Sequence, residues 1–162
     1  MPFTDYKPAP IKQAGNIIIG FGPKFTDLLS PSLASLTVNG TCAITQFGTT
    51  TDVSMQERQD LCDVDAYEWL DKRVRKLDQL TFRADPEQQA AILALLSEDA
   101  EVGIVVRPYL PSSDPLAAAD KVWSFNAQVA KLDPNPIAVG NDYEWMVDFY
   151  KVSRNLNAVI AA

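Results

Sequence analysis

Carboxylate pairs are the residues whose type and spacing come nearest to chemistry: Asp63 with Asp65, Glu98 with Asp99 and Glu101, and Glu144 with Asp148. Two such groups flanking a glycosidic bond make a hydrolase, and several together hold a hard cation. That work needs one carboxyl in a pocket with a raised pKa, and nothing in the pattern sets one beside a cleft. Asp63-Val64-Asp65 opens like a calcium loop, yet no glycine and no closing glutamate follow at the required spacing. Gly20-Phe21-Gly22 lacks the third glycine and the following helix of a phosphate loop. The chain contains no histidine. Ser-His-Asp and Cys-His catalysis, imidazole proton shuttling and the commonest zinc ligand all go with it. Cys42 and Cys62 are too few for a thiolate metal site. They are either one bridge or two small buried hydrophobes. The reading is of a protein with no catalytic residues, no metal and no cofactor.

The one basic cluster, Lys72, Arg73, Arg75 and Lys76, has no interleaved aromatics and sits in a chain of net charge −7. Tight phosphate-backbone binding comes from Lys and Arg displacing counterions, so this cluster reads better as a surface for an acidic partner. No run approaches the ~20 apolar residues a membrane helix needs, and no secretory signal is visible, so the expected setting is cytoplasm without a membrane.

The elements that carry these residues are mostly strands. Met1–Gly15 holds Pro2, Pro8 and Pro10 without periodicity, an extended arm. Asn16–Gly22 is a β-branched run bounded by turn residues, a buried strand. Ser35–Val38 ends at Asn39-Gly40, a tight-turn signal, and Thr41–Phe47 follows as a strand. Gly48–Cys62 is rich in Thr and charge, either a long hairpin arm or a loop. Across Tyr67–Arg83 the apolar parity switches from Tyr67 and Trp69 to Leu80 and Phe82, which predicts two strands.

The firmest helix signal starts at Asp85, an N-cap before Pro86 with Gln88 completing a capping box. Ala91, Ile92, Leu95 and Leu96 share one face, and the helix ends near Ser97–Asp99. Glu101–Tyr109 is a strand closed by prolines. In Val122–Lys131, Trp123, Phe125, Ala127 and Val129 alternate with Ser124, Asn126 and Gln128. In Tyr143–Val152, Tyr143, Trp145, Val147 and Phe149 alternate with Glu144 and Asp148. Period-two alternation sets one face in a core and the other in water or against a partner. Pro134, Pro136 and Gly140 make the connection a long hairpin tip, and Asn157–Ile160 is a last strand. About seven or eight strands with one flanking helix, over 86–97, make a mainly β fold: a β-sandwich or partly closed barrel. The 162 residues divide into an arm, 1–15, and a single domain, 16–162, with a long hairpin loop at about 48–65.

The order of these segments resembles the tail tube proteins of long-tailed bacteriophages. The strand Cys42–Phe47 with its polar extension to Cys62 carries the likeness, followed by Asp78-Gln79-Leu80-Thr81-Phe82-Arg83 and Asp85-Pro86-Glu87 opening the helix. The strand Glu101–Arg107 and the late hairpin, bridged by Pro134-Asn135-Pro136-Ile137, complete it. The layout spans most of Thr41–Ile160. The resemblance implies a protomer that forms hexameric rings stacked into a hollow tube. A tape-measure protein would fill the tube, with tail terminator and distal tail proteins at its ends, and DNA would pass without specific binding. The N-terminal arm and the long hairpin loop would reach the next ring, so Phe3, Tyr6, Pro8, Met55, Arg58, Arg73 and Arg75 become contact candidates. Asp52 and Glu57 become lumen-facing candidates. A ring of six would carry 6 × (−7) = −42 charges, and an acidic lumen repels DNA.

Two other classes stand beside this one. A monomeric β-sandwich binding module would use Trp69, Trp123 or Trp145 as a platform, although the parity of the last two places them in a core. A carboxylate-dependent hydrolase is the third.

Overall fold

A computed structural model of the chain describes residues 13, 15–39, 44–58, 67–83, 86–140 and 142–162. The alternating segments set the architecture. β7 (Glu101–Pro108), β8 (Lys121–Pro134) and β9 (Glu144–Val159) form consecutive antiparallel pairs at the centre of a sheet. β1 (Ile17–Pro23) joins β7, and the two-residue β2 (Val38–Asn39) joins β1. On the other side β6 (Leu80–Arg83) joins β9, and β3 (Ile44–Gln46) joins β6. The order of this seven-stranded sheet is therefore β2-β1-β7-β8-β9-β6-β3.

That order forces curvature. β2 and β3 lie at opposite edges, yet only residues 40–43 join them. A flat seven-stranded sheet holds its edges ~29 Å apart, whereas the five peptide steps from Asn39 to Ile44 span at most ~17 Å. The sheet curls into a partly closed barrel, and one groove accordingly takes Ile17 and Ile19 from β1 together with Ile44 and Phe47 beside β3. Asn39-Gly40 thus precedes no two-strand hairpin: β2 and β3 each pair elsewhere, and Gly40 itself lies outside the described residues.

Inside the curl, Ile19, Phe21, Leu80, Phe82, Val102, Ile104, Val106, Phe125, Val129 and Val147 form the main core. Phe47 meets the Phe125 ring edge-on, with centroids 5.7 Å apart. α1 (Pro86–Leu95) lies against this cluster through Leu93 and Leu95, with Leu96 just beyond its end. The apolar face expected at Ala91 shifts accordingly, and Ala91 is exposed. Asp85, the expected cap, lies outside the described residues.

The convex side is not left to water. Segment 24–36 lies across it, and a second cluster of Phe25, Val105, Val122, Ala158 and Ile160 fills the gap. Ser124 and Asn126, the polar face of β8, are buried beneath this segment. The Asn126 amide accepts from the Phe25 N–H (2.9 Å) and donates to the Phe25 carbonyl (2.8 Å), while the Ser124 hydroxyl donates to the Leu28 carbonyl. Alternation predicts that this face meets water or a partner; the partner is the chain's own loop. At Gly22 and Gly103 the crossing is too close for a side chain. A Cβ at Gly22 would sit 2.1 Å from the Ser35 carbonyl oxygen, and one at Gly103 would sit 2.7 Å from the Pro23 carbonyl oxygen.

Arg107 ties down the next loop. It is 1% exposed, and its guanidinium donates to the carbonyls of Pro111, Asp114 and Pro115 and to the Asp120 carboxylate at 3.1 Å. Asp120 in turn accepts from the Ala117 N–H. One buried cation thereby satisfies a whole turn of backbone acceptors.

The expected last strand, Asn157–Ile160, is the far part of β9. Register shifts against β8 interrupt the alternation, one at Lys151, whose φ is +50°, and one beside Leu156–Asn157. Each bulge flips the parity, which makes one long strand look like two.

Candidate assembly surfaces

One element stands apart from the barrel. β4 (Thr49–Arg58) and β5 (Tyr67–Leu77) pair only with each other, over ten residue pairs from Thr49↔Leu77 to Arg58↔Tyr67. Threonines, Val53 and Val74 suit strand geometry, and Asp52, Ser54, Lys72 and Lys76 make one face polar. The base is anchored. Leu77 enters the main core, the Asp78 N–H donates to the Gly48 carbonyl, and Arg154 on β9 donates to the hydroxyls of Thr49 (2.9 Å) and Thr51 (2.7 Å). Beyond Thr51 the ribbon runs about 24 Å to Arg58.

Opposite residues in an antiparallel pair share a face, so register sorts the arm. Val53, Met55, Leu70, Arg73 and Arg75 lie on one side; Asp52, Ser54, Lys72, Val74 and Lys76 lie on the other. Val53, Met55 and Leu70 are 52%, 51% and 46% exposed, an apolar strip in water. Lys76 meets Asp52, whereas Arg73 and Arg75 have no ion-pair partner among the described residues. An isolated two-stranded ribbon is marginal in water, and an apolar strip along it marks a surface meant to be covered.

A second exposed site is the β8–β9 tip, where Ile137, Val139 and Tyr143 project. The Asn135 N–H donates to the Glu144 carbonyl at its neck, and Arg83 pairs with Asp142 and Glu144. The outward face of β8 and β9 is polar. Lys131 donates to Asp133 at 2.6 Å, and that hydrogen bond and charge hold the ammonium above the ordinary lysine range. Shielding from water pushes the Tyr150 phenol up, and its hydrogen bond to Asp99 (3.2 Å) adds to this. Both groups keep their protons through neutral pH, so this face holds its charge there.

Of the contact candidates, Met55, Arg73 and Arg75 share the strip. Phe3, Tyr6 and Pro8 lie outside the described residues, as do Cys42, Cys62, Asp63 and Asp65, and nothing of the Glu57, Arg58 or Trp69 side chains is described. Asp52 is exposed and neutralised by Lys76. Trp123 and Trp145 are half-buried against the main core, which leaves no aromatic platform there. Composition alone could not find Val53 and Leu70; their exposure follows only from strand register. Among the described residues no three or more potential metal-ligating side chains cluster, and no helix is long and apolar enough to cross a membrane.

A curled antiparallel barrel with covered faces and an uncovered ribbon is built as an assembly subunit. Residues 5–162 match the family model described as phage tail tube protein, so the chain belongs to that family. It is a structural, non-enzymatic component of the virion tail, which assembles with other tail proteins. Among solved structures, a chain of the anti-feeding prophage baseplate, seen by cryo-EM with 6-fold symmetrisation, resembles it with a TM-score of 0.46 at 12% identity. That likeness covers 93% of this chain and 97% of the other. No curated protein sequence matches the chain.

Proposed function

We propose that the chain is the repeating unit of the tail tube, forming hexameric rings that stack around a tape-measure protein and later conduct DNA. The uncovered β4–β5 ribbon carries this reading, because an arm with half-exposed Val53, Met55 and Leu70 is explained only by a neighbour that buries it. The barrel of residues 16–162 would form the ring wall, and the arm together with the segment 1–15 would bridge rings through Phe3, Tyr6, Pro8, Met55, Arg58, Arg73 and Arg75. Tail terminator and distal tail proteins would cap the two ends. Assembly would take place in the host cytoplasm before the tail joins a virion.

The bore would be acidic, in keeping with the net −7 of each copy. Asp52 is offset by Lys76, so its share of the field is small and Glu57 is the stronger of the two lumen candidates. Negative-stain microscopy over a concentration series tests the reading. Six-fold rings or hollow tubes are expected, and monomers at every concentration, with and without the tape-measure protein, would overturn it. Glu57→Gln in an infectious particle should slow genome ejection at unchanged tube length; unaltered ejection removes the acidic-bore part alone.

A further inference from the structure

The convex side of the barrel is covered by two pieces of chain that meet at a third. One is segment 24–36, which Asn126 and Ser124 hold from beneath. The other is the loop 111–120, gathered round the Arg107 guanidinium. Between them runs the end of β9 with the two residues after it. An extended strand turns successive N–H groups to opposite edges, and here the two edges serve different covers. The Val159 and Ala161 N–H groups donate to the Leu29 and Pro31 carbonyls at 3.0 and 2.9 Å, and the Leu33 N–H donates to the Ala161 carbonyl at 3.0 Å. Ile160 serves the other edge: its N–H donates to the Asp120 carbonyl (3.0 Å) and its carbonyl accepts from the Ala119 N–H (2.9 Å). The Ile160 side chain is buried in the second cluster, against which Leu28, Leu33 and Leu36 pack from the segment and Leu116 from the loop.

Two further observations make this junction a place where the covers can part from the barrel. No residue of 24–36, 111–120 or 156–162 belongs to the main core, so lifting them removes nothing from it. Ala119 sits at φ +71°, a left-handed conformation that is costly for a residue with a Cβ and persists only while its surroundings enforce it. Its bond to Ile160 is one of those constraints, and opening there relieves the strain. We propose that Val159–Ala161 is a latch: its release frees segment 24–36 and the loop together and leaves the barrel closed. The coupling has reach. Val159 pairs with Lys121, whereas Asn126, which holds Phe25, lies five residues farther along β8, about 17 Å away. Whatever takes hold of the latch therefore bares Val105, Val122, Ser124 and Asn126, a face the closed fold buries. The device rests on the fold alone and is independent of how copies assemble.

Hydrogen exchange resolved to single amides, on the dispersed full chain, tests this. In the wild type the Phe25, Leu33, Ala119 and Ala161 amides should open at one common rate, at least about tenfold more often than those of Ile104 and Phe125 in the barrel. Ile160→Ala loosens the latch without removing a hydrogen bond. All four amides should then open about tenfold more often still, while the barrel amides keep their wild-type rates. Asn126→Ala removes the anchor of the segment and leaves the latch, so Phe25 alone of the four should speed up. An Ala119 amide that ignores Ile160→Ala, or that follows Asn126→Ala, overturns the latch. Barrel amides that speed up with the covers overturn it too, as do wild-type covers that open no more often than the barrel. Ile160→Val gives the same pattern at smaller amplitude where Ile160→Ala does not fold.

Discussion

The centre of the barrel and the β4–β5 arm are built from the same kind of strand and could hardly differ more in how they are held. β7 and β8 are covered on both faces, by the main core within the curl and by segment 24–36 outside it, and even Ser124, Asn126 and Arg107 are buried and bonded. The arm has one partner strand, two bare faces and two open edges beyond its anchored base. Backbone pairing alone therefore does not decide whether a strand is stable; what lies over its faces does. The barrel covers its own strands, and the arm beyond its base does not.

The sharpest way to break the contrast is to damage the centre. Phe125→Ala empties the middle of the main core and should cost about 4 kcal/mol, read as a lower melting temperature of the monomer. Arg107→Ala removes the guanidinium donor from three carbonyls and the counter-ion from the Asp120 carboxylate, and about 3 kcal/mol should be lost in denaturant titration. Gly22→Ala pushes a methyl into the Ser35 carbonyl, which is backbone and cannot swing aside, so a loss of about 2 kcal/mol is expected with faster proteolysis of segment 24–36. The smallest stability effect belongs to the arm. Met55→Ser with Leu70→Ser should shift monomer stability by less than about 0.5 kcal/mol while suppressing rings and tubes in the microscope. A monomer melt that drops by several degrees would mean the strip packs at home, and the contrast would fail.

How much of this the residues disclosed depended on how local the cause was. The alternation through Trp123, Phe125, Ala127 and Val129 gave β8, its facing and its hairpin with β9, because period two is set by the chain's own pleat. The parity switch between Trp69 and Leu80 likewise revealed the break between β5 and β6, and the prolines of the β8–β9 tip revealed its length. Three features escaped because their causes are distant. The cover over Ser124 and Asn126 comes from an aperiodic stretch about 100 residues away in sequence. The separation of β2 from β3 depends on which strands each finds across the sheet, against the local preference of Asn39-Gly40 for a hairpin. The bulge at Lys151 reads as a strand end when only spacing is seen. The apolar strip was only partly legible: Met55, Arg73 and Arg75 entered as contact candidates through the tail-tube resemblance, while Val53 and Leu70 needed the register.

The pairing of Ile17 with Pro108 sets a clock on synthesis. The ribosome makes β1 long before β7, and at about 5–20 residues per second the Ile-Ile-Ile-Gly-Phe run waits roughly 5–20 s for its partner. β7, β8 and β9 follow one another and can form hairpins as they emerge, but β1 must be kept from sticking to its counterparts on neighbouring nascent chains. For the repeating unit proposed above, that interval is when fruitless aggregation would compete most strongly with making a tail, and a chaperone that shields residues 17–21 would raise the yield of assembled protein without touching the finished fold.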